Sequence, residues 1–329
     1  MKIEMAHGSG GKATTELIGS IFARYFKNDI LDRMEDAAVL EVDSSRIAFT
    51  TDSFVVKPLF FKGGDIGRLS VCGTVNDLLM MGAKPKYLTC GFILEEGLEL
   101  AELDRIVCSM RQAADEAGII IAAGDTKVVE GSGGLYINTS GIGELNKGIN
   151  ISARNVKPGD VVILSGSLGN HHACILSQRM GISNEIQSDC APLKDMVERL
   201  LAAGVNIRTM RDVTRGGLAT VLNEIAEGSS VSISIQEDSL VVDKAVKSFC
   251  GILGLDPLYM GNEGKMVCIV AGEDAPKALE LIRGSRYGEK AAIIARAEKT
   301  GSAKVTLTTR LGGRRIVDVL MGEGLPRIC

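Results

Sequence analysis

Apolar positions in this chain recur with two periods, and the switch between them outlines its elements. Leu17, Ile18, Ile21, Phe22 and Tyr25 fall at helical spacing behind Thr14-Thr15, either of which can cap the turn. Strands are predicted over Ala37–Leu40 and Ile47–Thr51, each ending in a polar loop. Asp65 stands where the N-cap of a helix bearing Ile66, Leu69, Val75, Leu78 and Leu79 is expected, and Gly82 where that helix stops. A strand over Tyr87–Leu94, an amphipathic helix over Leu100–Ala117, a buried strand over Ile119–Ala123 ending at Gly124-Asp125, and a strand over Leu135–Gly143 complete the first half.

The stretch from Ser152 to Asp160, punctuated by Pro158-Gly159, reads as a connector. Beyond it the pattern predicts a strand over Val161–Ser165, helices near 170–180, 192–203 and 217–227, strands over 231–236 and 266–270, and a helix near 275–283. Helices and strands alternate without a regular βαβ period, which favours an α/β (α+β) fold with mixed sheets. A length of 329 residues favours two domains, 1–150 and 151–307. The remainder, 308–329, reads as a tail: Gly312-Gly313 forms a hinge before a short apolar piece and a tip broken by Gly and Pro that ends in Cys329. Extended, the last ~18 residues would reach ~60 Å.

Charge narrows the function classes. A net charge of −4 provides no global field for nucleic acid or anionic lipid. No apolar run approaches a membrane span and no apolar segment follows the basic start, so a cytoplasmic location is expected. Eight cysteines form no Cys-x-x-Cys pair, which counts against zinc or iron–sulfur sites. Glycine is abundant at 39 residues and clustered, as expected of shaped loops that approach a ligand.

Several stretches carry candidate chemistry. Gly8–Lys12 is not a Walker loop, because Ala6 and Ala13 stand where Gly and Ser/Thr are required; it reads as a phosphate-covering arm or as a plain N-terminus. Asp36, Asp52, Asp77 and Asp125 sit at strand ends or on a helix following one; each can cap or pair, and together they can hold a metal–nucleotide complex. Asp77 lies among Val75, Leu78 and Leu79, where an unpaired carboxylate is costly. Asp212–Leu218 opens a helix whose N-terminus either receives an anion or is capped by Asp212 or Thr214. Glu263, in Asn262–Lys265, is either a general base at a strand mouth or part of a surface turn. The adjacent His171-His172 lack chelating spacing. Cys329 is either a carrier of a covalent group or an inert exposed thiol.

These stretches resemble, nearly end to end, the HypE family: the carbamoyl dehydratases of nickel–iron hydrogenase maturation, in the PurM-like superfamily of aminoimidazole ribonucleotide synthetase and selenophosphate synthetase. The resemblance is carried by HGSGGK at 7–12, TTDSFVV at 50–56, GDIGRLSVCGTVNDLLMMGAKP at 64–85, GDTKVVE at 124–130, NTSGIG at 138–143, RDVTRGGLATVLNEIA at 211–226, NEGK at 262–265 and GGRRIVDVLMGEGLPRIC at 312–329. It implies a two-domain PurM-like homodimer that binds ATP and Mg2+. Asp36, Asp52, Asp77 and Asp125 would hold phosphate and magnesium, Lys12 and Thr126 would lie near the nucleotide, and Lys127 and Glu263 would handle protons at Cys329. The implied activity is ATP-dependent dehydration of a thiocarboxamide on Cys329 to a thiocyanate that supplies cyanide to hydrogenase iron. The implied partners are a HypF-like carbamoyltransferase that loads Cys329 and a HypC–HypD-like iron scaffold that accepts the cyanide. The alternatives are a small-molecule synthetase of the same superfamily and a nucleotide-gated scaffold. Asn170, His172, Val213 and Gly261 depart from the family's usual Asp, Gly, Pro and Ala.

Overall fold

The computed structural model describes residues 2–4, 7, 16–29, 46–299 and 302–319. Strict alternation from Ile47 to Phe54 places Ala48, Thr50, Asp52 and Phe54 toward the interior and Ile47, Phe49, Thr51 and Ser53 toward solvent. This strand, β1 (Ile47–Phe54), joins β2 (Lys84–Glu95), β3 (Ile120–Val129) and β4 (Leu135–Glu144) in a four-stranded sheet of order β1-β4-β2-β3. Only β2 and β3 run parallel. β3 runs on past the expected stop at Gly124-Asp125, because its pairing with β2 continues to Val129 opposite Glu95.

One face of this sheet is covered by α1 (Ile66–Met80), which also packs against α2 (Leu100–Ala117). Asp65 caps α1 as expected, its carboxylate accepting from the Arg68 amide at 2.9 Å. α1 is buried on nearly every side. Gly67 allows the close approach of α2, since a Cβ there would stand 2.3 Å from the Ile106 carbonyl oxygen. The sheet's other face has no covering element among the described residues and carries Phe49 at 68% exposure and Ile93 at 46%.

The second domain holds a seven-stranded mixed sheet. Its strands are β5 (Val161–Leu164), β6 (Ile207–Asp212), β7 (Ser232–Gln236), β8 (Met266–Val270), β9 (Ala292–Glu298), β10 (Val305–Thr308) and β11 (Arg314–Ile316), in the order β11-β10-β7-β9-β5-β8-β6. The uninterrupted apolar run of β5 is explained by cover on both faces. Val161 and Ile163 join a core shared with α1 and α4 (Lys194–Ala202), whereas Val162 and Leu164 join a second core under α5 (Gly217–Ser229). α3 (Asn170–Arg179), α6 (Lys244–Leu253) and α7 (Ala275–Arg283) complete the described helices of eight residues or more.

The sequence pattern did not predict β6, β9, β10, β11 or α6. Part of the expected tail is also folded. Gly312, at φ 82°, turns a hairpin in which β11 pairs with β10, and Val317 is fully buried. The paired glycine is therefore a turn and not a hinge. The expected Thr14-Thr15 cap, the strand over Ala37–Leu40 and the end of the tail lie outside the described residues.

Candidate functional site

α1 reaches across the domain boundary to touch β6 and α4, and at this junction several carboxylates converge. Asp52 points from the covered face of β1 and Asp77 from α1. Thr50 donates its hydroxyl to Asp77 at 2.9 Å, and the two aspartates share a hydrogen bond. Asp212 approaches from the end of β6 and Glu263 from the turn before β8; Asp77 and Asp52 raise the cost of ionising Asp212, and Asp212 and Asp52 raise that of Glu263. Burial, followed by the charge of Asp77, pushes the Asp52 carboxyl up to about 6. Burial, then Asp77, pushes Asp212 to about 7 against the pull of Arg211. Burial raises Asp77, opposed by Thr50. Glu263, 4% exposed, is raised well above the carboxylate range by burial and then by Asp212, Asp189 and Asp52. Its Oε1 is buried without a hydrogen-bond partner. So many half-desolvated acids in one place are costly unless a cation or a transferable proton joins them.

The site is held in place by polar contacts, those of Asn76 and Arg68 crossing between the domains and those of Asn262 and Glu263 lying within the second. Asn76, next to Asp77 and 2% exposed, donates to the Ala191 carbonyl at 3.1 Å and accepts from the Leu193 amide at 2.9 Å. Arg68 donates to the Cys190 carbonyl at 2.9 Å. Asn262 accepts from the Gly169 amide at 2.8 Å, and the Glu263 amide donates to Asp189 at 3.2 Å. Gly264 must be glycine, since a Cβ would meet the Asp189 carbonyl oxygen at 1.9 Å. The segment Ser188–Leu193 is thus clamped between α1 and the turn that presents Glu263.

Of the expected site residues, the fold brings Asp52, Asp77 and Glu263 together. Asp125 and Lys127 lie elsewhere: they are exposed on the uncovered face of the sheet, paired to each other at 2.8 Å, and Lys127 holds the Asp125 carboxyl below the usual range. In register, Asp52 is aligned through Thr139 and Cys90 with Gly124, the residue before Asp125, and the three strand steps span ~14 Å. Thr126 is half-buried on the strand between them. Lys12, Asp36 and Cys329 lie outside the described residues. Among the described residues no three acidic, His or Cys side chains form a metal cage.

Sequence reasoning missed Asp212 and Asp189. The chain pattern offered Asp212 as a helix cap, but the N-cap of α5 is Gly216, with no side-chain hydrogen bond, and Asp212 ends a strand. The overlooked signal was the alternation of Arg208, Met210 and Asp212 ahead of a glycine pair. His171 and His172 are buried on α3; His171 bonds Ser188 at 2.7 Å, and burial pushes His172 down to about 4. Among the described residues neither belongs to a group of three side chains able to hold a metal ion.

Residues 34–145 match the N-terminal domain, and residues 157–308 the C-terminal domain, of the AIR synthase related proteins. The chain is 48% identical over 331 residues to the carbamoyl dehydratase HypE of Azotobacter vinelandii, covering 99% of this chain and 97% of that protein. Its fold is similar to the crystal structure of the hydrogenase maturation protein HypE in complex with ATP, with TM-score 0.95, 46% identity and 99% of each chain covered. It is also similar to a chain of the HypE–HypF complex, with TM-score 0.81 and 49% identity, covering 92% of this chain and 99% of that one. No described helix is long and apolar enough to cross a membrane. With both domain models matched in order and this likeness running nearly end to end, the chain belongs to the AIR synthase related family and, within it, to the carbamoyl dehydratases of the HypE group.

Proposed function

We propose that this protein uses ATP to dehydrate a carbamoyl group carried on the sulfur of its own Cys329, yielding a thiocyanate that supplies cyanide for a metal centre of a hydrogenase. The observation that carries this reading is Glu263: a buried carboxylate with one oxygen lacking a hydrogen-bond partner, facing Asp52 and Asp212 where the two domains meet. The amide oxygen forms a bond to the γ-phosphorus as the bond to ADP breaks, giving an O-phosphorylated imidate. Loss of the N–H protons and departure of phosphate with the oxygen then complete the carbon–nitrogen triple bond. Water would return the nitrile to the amide, so burial of the site favours dehydration.

Within this sequence Glu263 takes a proton from nitrogen. Burial and three neighbouring acids give it an unusually high proton affinity for a carboxylate. Asp52 and Asp77 would hold magnesium with the triphosphate, together with Asp36. The paired, hard, proton-hungry oxygens of Asp52 and Asp77 fit such an ion. Bound there, magnesium would neutralise phosphate charge. Arg215, which lowers the Asp52 carboxyl, is placed to meet a phosphate oxygen.

A second copy of the chain seated on the open face of the first sheet would cover Phe49 and Ile93 and bring Asp125 and Lys127 into an interface, where Lys127 can reach a neighbouring nucleotide. A HypF-like carbamoyltransferase fits as the enzyme that loads Cys329, and an iron scaffold as the acceptor. The test is intact-mass analysis of full-length protein with the loading enzyme and ATP. Loss of one water from carbamoylated protein, dependent on ATP, is expected. The same product from Cys329→Ala would overturn the reading.

A further inference from the structure

One face of α1 runs along the 190–193 segment of the second domain. Arg68, Cys72 and Asn76, four residues apart, share that face. Arg68 donates to the Cys190 carbonyl at 2.9 Å. Asn76 donates to the Ala191 carbonyl at 3.1 Å and accepts from the Leu193 amide at 2.9 Å. Cys72, between them, meets the Cys190 side chain, and the two thiols share a hydrogen bond. Both are free cysteines. Each domain thus contributes one thiol to the contact, and polar bonds pin the chains on either side of it.

The two sulfurs differ in access. Cys72 is fully buried and Cys190 is 4% exposed. Cys190 lines the wall of a cavity of about 660 Å³ between the domains, with Ser188, Asp189 and Lys265 beside it, whereas Cys72 does not reach that wall. An oxidant no larger than a few waters can enter this space and meets Cys190 first. The hydrogen bond to Cys72, then burial, pushes the Cys190 thiol well above its ordinary value, while Arg68 pulls it down. A thiol held in its protonated form reacts slowly, so the pair answers sustained exposure and ignores a brief pulse.

We propose that hydrogen peroxide entering the interdomain cavity joins Cys72 to Cys190 in a disulfide, and that this bond between the domains switches the acidic junction off. The Cys190 sulfur attacks one peroxide oxygen as the O–O bond breaks, giving a sulfenic acid and water. The Cys72 sulfur then displaces the hydroxyl of the sulfenic acid as a second water. The two thiols lose two electrons and two protons, the peroxide gains them, and the only products are the disulfide and two waters. A covalent bond draws the sulfurs closer than a hydrogen bond does, which moves the 190–193 segment against α1. Asp189, the preceding residue, holds the Glu263 amide at 3.2 Å, and Cys72 itself faces Glu263. The displacement therefore reaches the residue proposed as the base. Formation of the bond is independent of that role; the loss of activity rests on it.

The test starts from full-length protein already carbamoylated on Cys329, so that the tail sulfur is masked, treated with hydrogen peroxide and then with catalase. The intact chain should lose two hydrogens, and peptide mapping without reductant should join Cys72 to Cys190. ATP-dependent dehydration should fall at least about tenfold, within the cost of misplacing a reacting group by an ångström, and dithiothreitol should restore it. Cys72→Ala, treated alike, should lose no hydrogens and keep the rate of its own untreated sample. Should that variant not fold, Cys190→Ala decides in the same way. Oxygen added to Cys190 without a cross-link would overturn the proposal, as would a linked chain that dehydrates at the parental rate. Untreated protein that never dehydrates would overturn the proposed function, and a mapped link would then still support the bond.

Discussion

Asp212 makes the acidic junction measurable without any substrate. Its carboxyl ionises at about 7 in the fold against an ordinary 3.8. At ~1.4 kcal/mol for each tenfold change in proton affinity, the folded state bears a charge penalty of about 4 kcal/mol above pH 7. Solvent at the partly exposed carboxylate reduces this to about 2 kcal/mol. The sign follows from proton affinity: between pH 4 and 7 the folded state binds the proton more tightly than the unfolded chain. This contribution therefore favours folding at low pH and declines as pH rises through the window. Asp212→Asn removes the titration at nearly constant volume. Urea unfolding of nucleotide-free protein with chelator, at pH 4.5 and pH 8, should show the variant gaining about 2 kcal/mol over the parent at pH 8 relative to pH 4.5. Asp52 and Glu263 shift in the same direction, so the variant keeps a residual slope. Identical pH dependence in parent and variant would show that Asp212 is not held against its charge, and the account of the junction would be wrong.

Further outcomes can be checked on the same protein. Asn76→Ala strands a buried carbonyl and a buried amide of the 191–193 segment; a stability loss of about 2–4 kcal/mol is expected by denaturant titration, together with weaker dehydration. Gly264→Ala drives a methyl into the Asp189 carbonyl oxygen; a markedly lowered melting temperature is expected, and an unchanged one would contradict the clamp. With the proposed second copy seated on the open sheet face, Phe49→Lys is expected to lower the sedimentation coefficient toward that of single chains while leaving the circular dichroism spectrum unchanged, and a parental coefficient would remove that interface. Magnesium at millimolar concentration should stabilise the parent more at pH 8 than at pH 5, because the ion competes with protons for Asp52 and Asp77; Asp52→Asn should lose most of that difference.

The helices with local signals were legible in the chain. Asp65 announced α1, Leu100–Ala117 was read to the residue, and the alternation through β1 already separated Asp52 from Thr51 and Ser53. The end-to-end resemblance also pointed to Asp52, Asp77 and Glu263 before any geometry was known. Such features depend on neighbours within a turn or two, where side-chain periodicity and backbone capping act.

Tertiary structure decided what no local period encodes. Strand β6 and its Asp212 are defined by antiparallel pairing with β8, more than fifty positions away. The glycine pair at 312–313 became a hairpin because β10 lies in register beside β7. Asp125, alike in motif to the other aspartates, and its partner Lys127 emerged on the opposite face because a bulge after Leu88 shifts the pairing of β2 with β3, and a shift of one residue in a strand exchanges its faces. Asp189 sits in a loop without periodicity, and only the clamp of Asn76, Arg68 and the Glu263 turn places it beside Glu263. Sequence determined which groups were available. Their distances and shared burial, which set their proton affinities, arose from the packing of two domains around one helix.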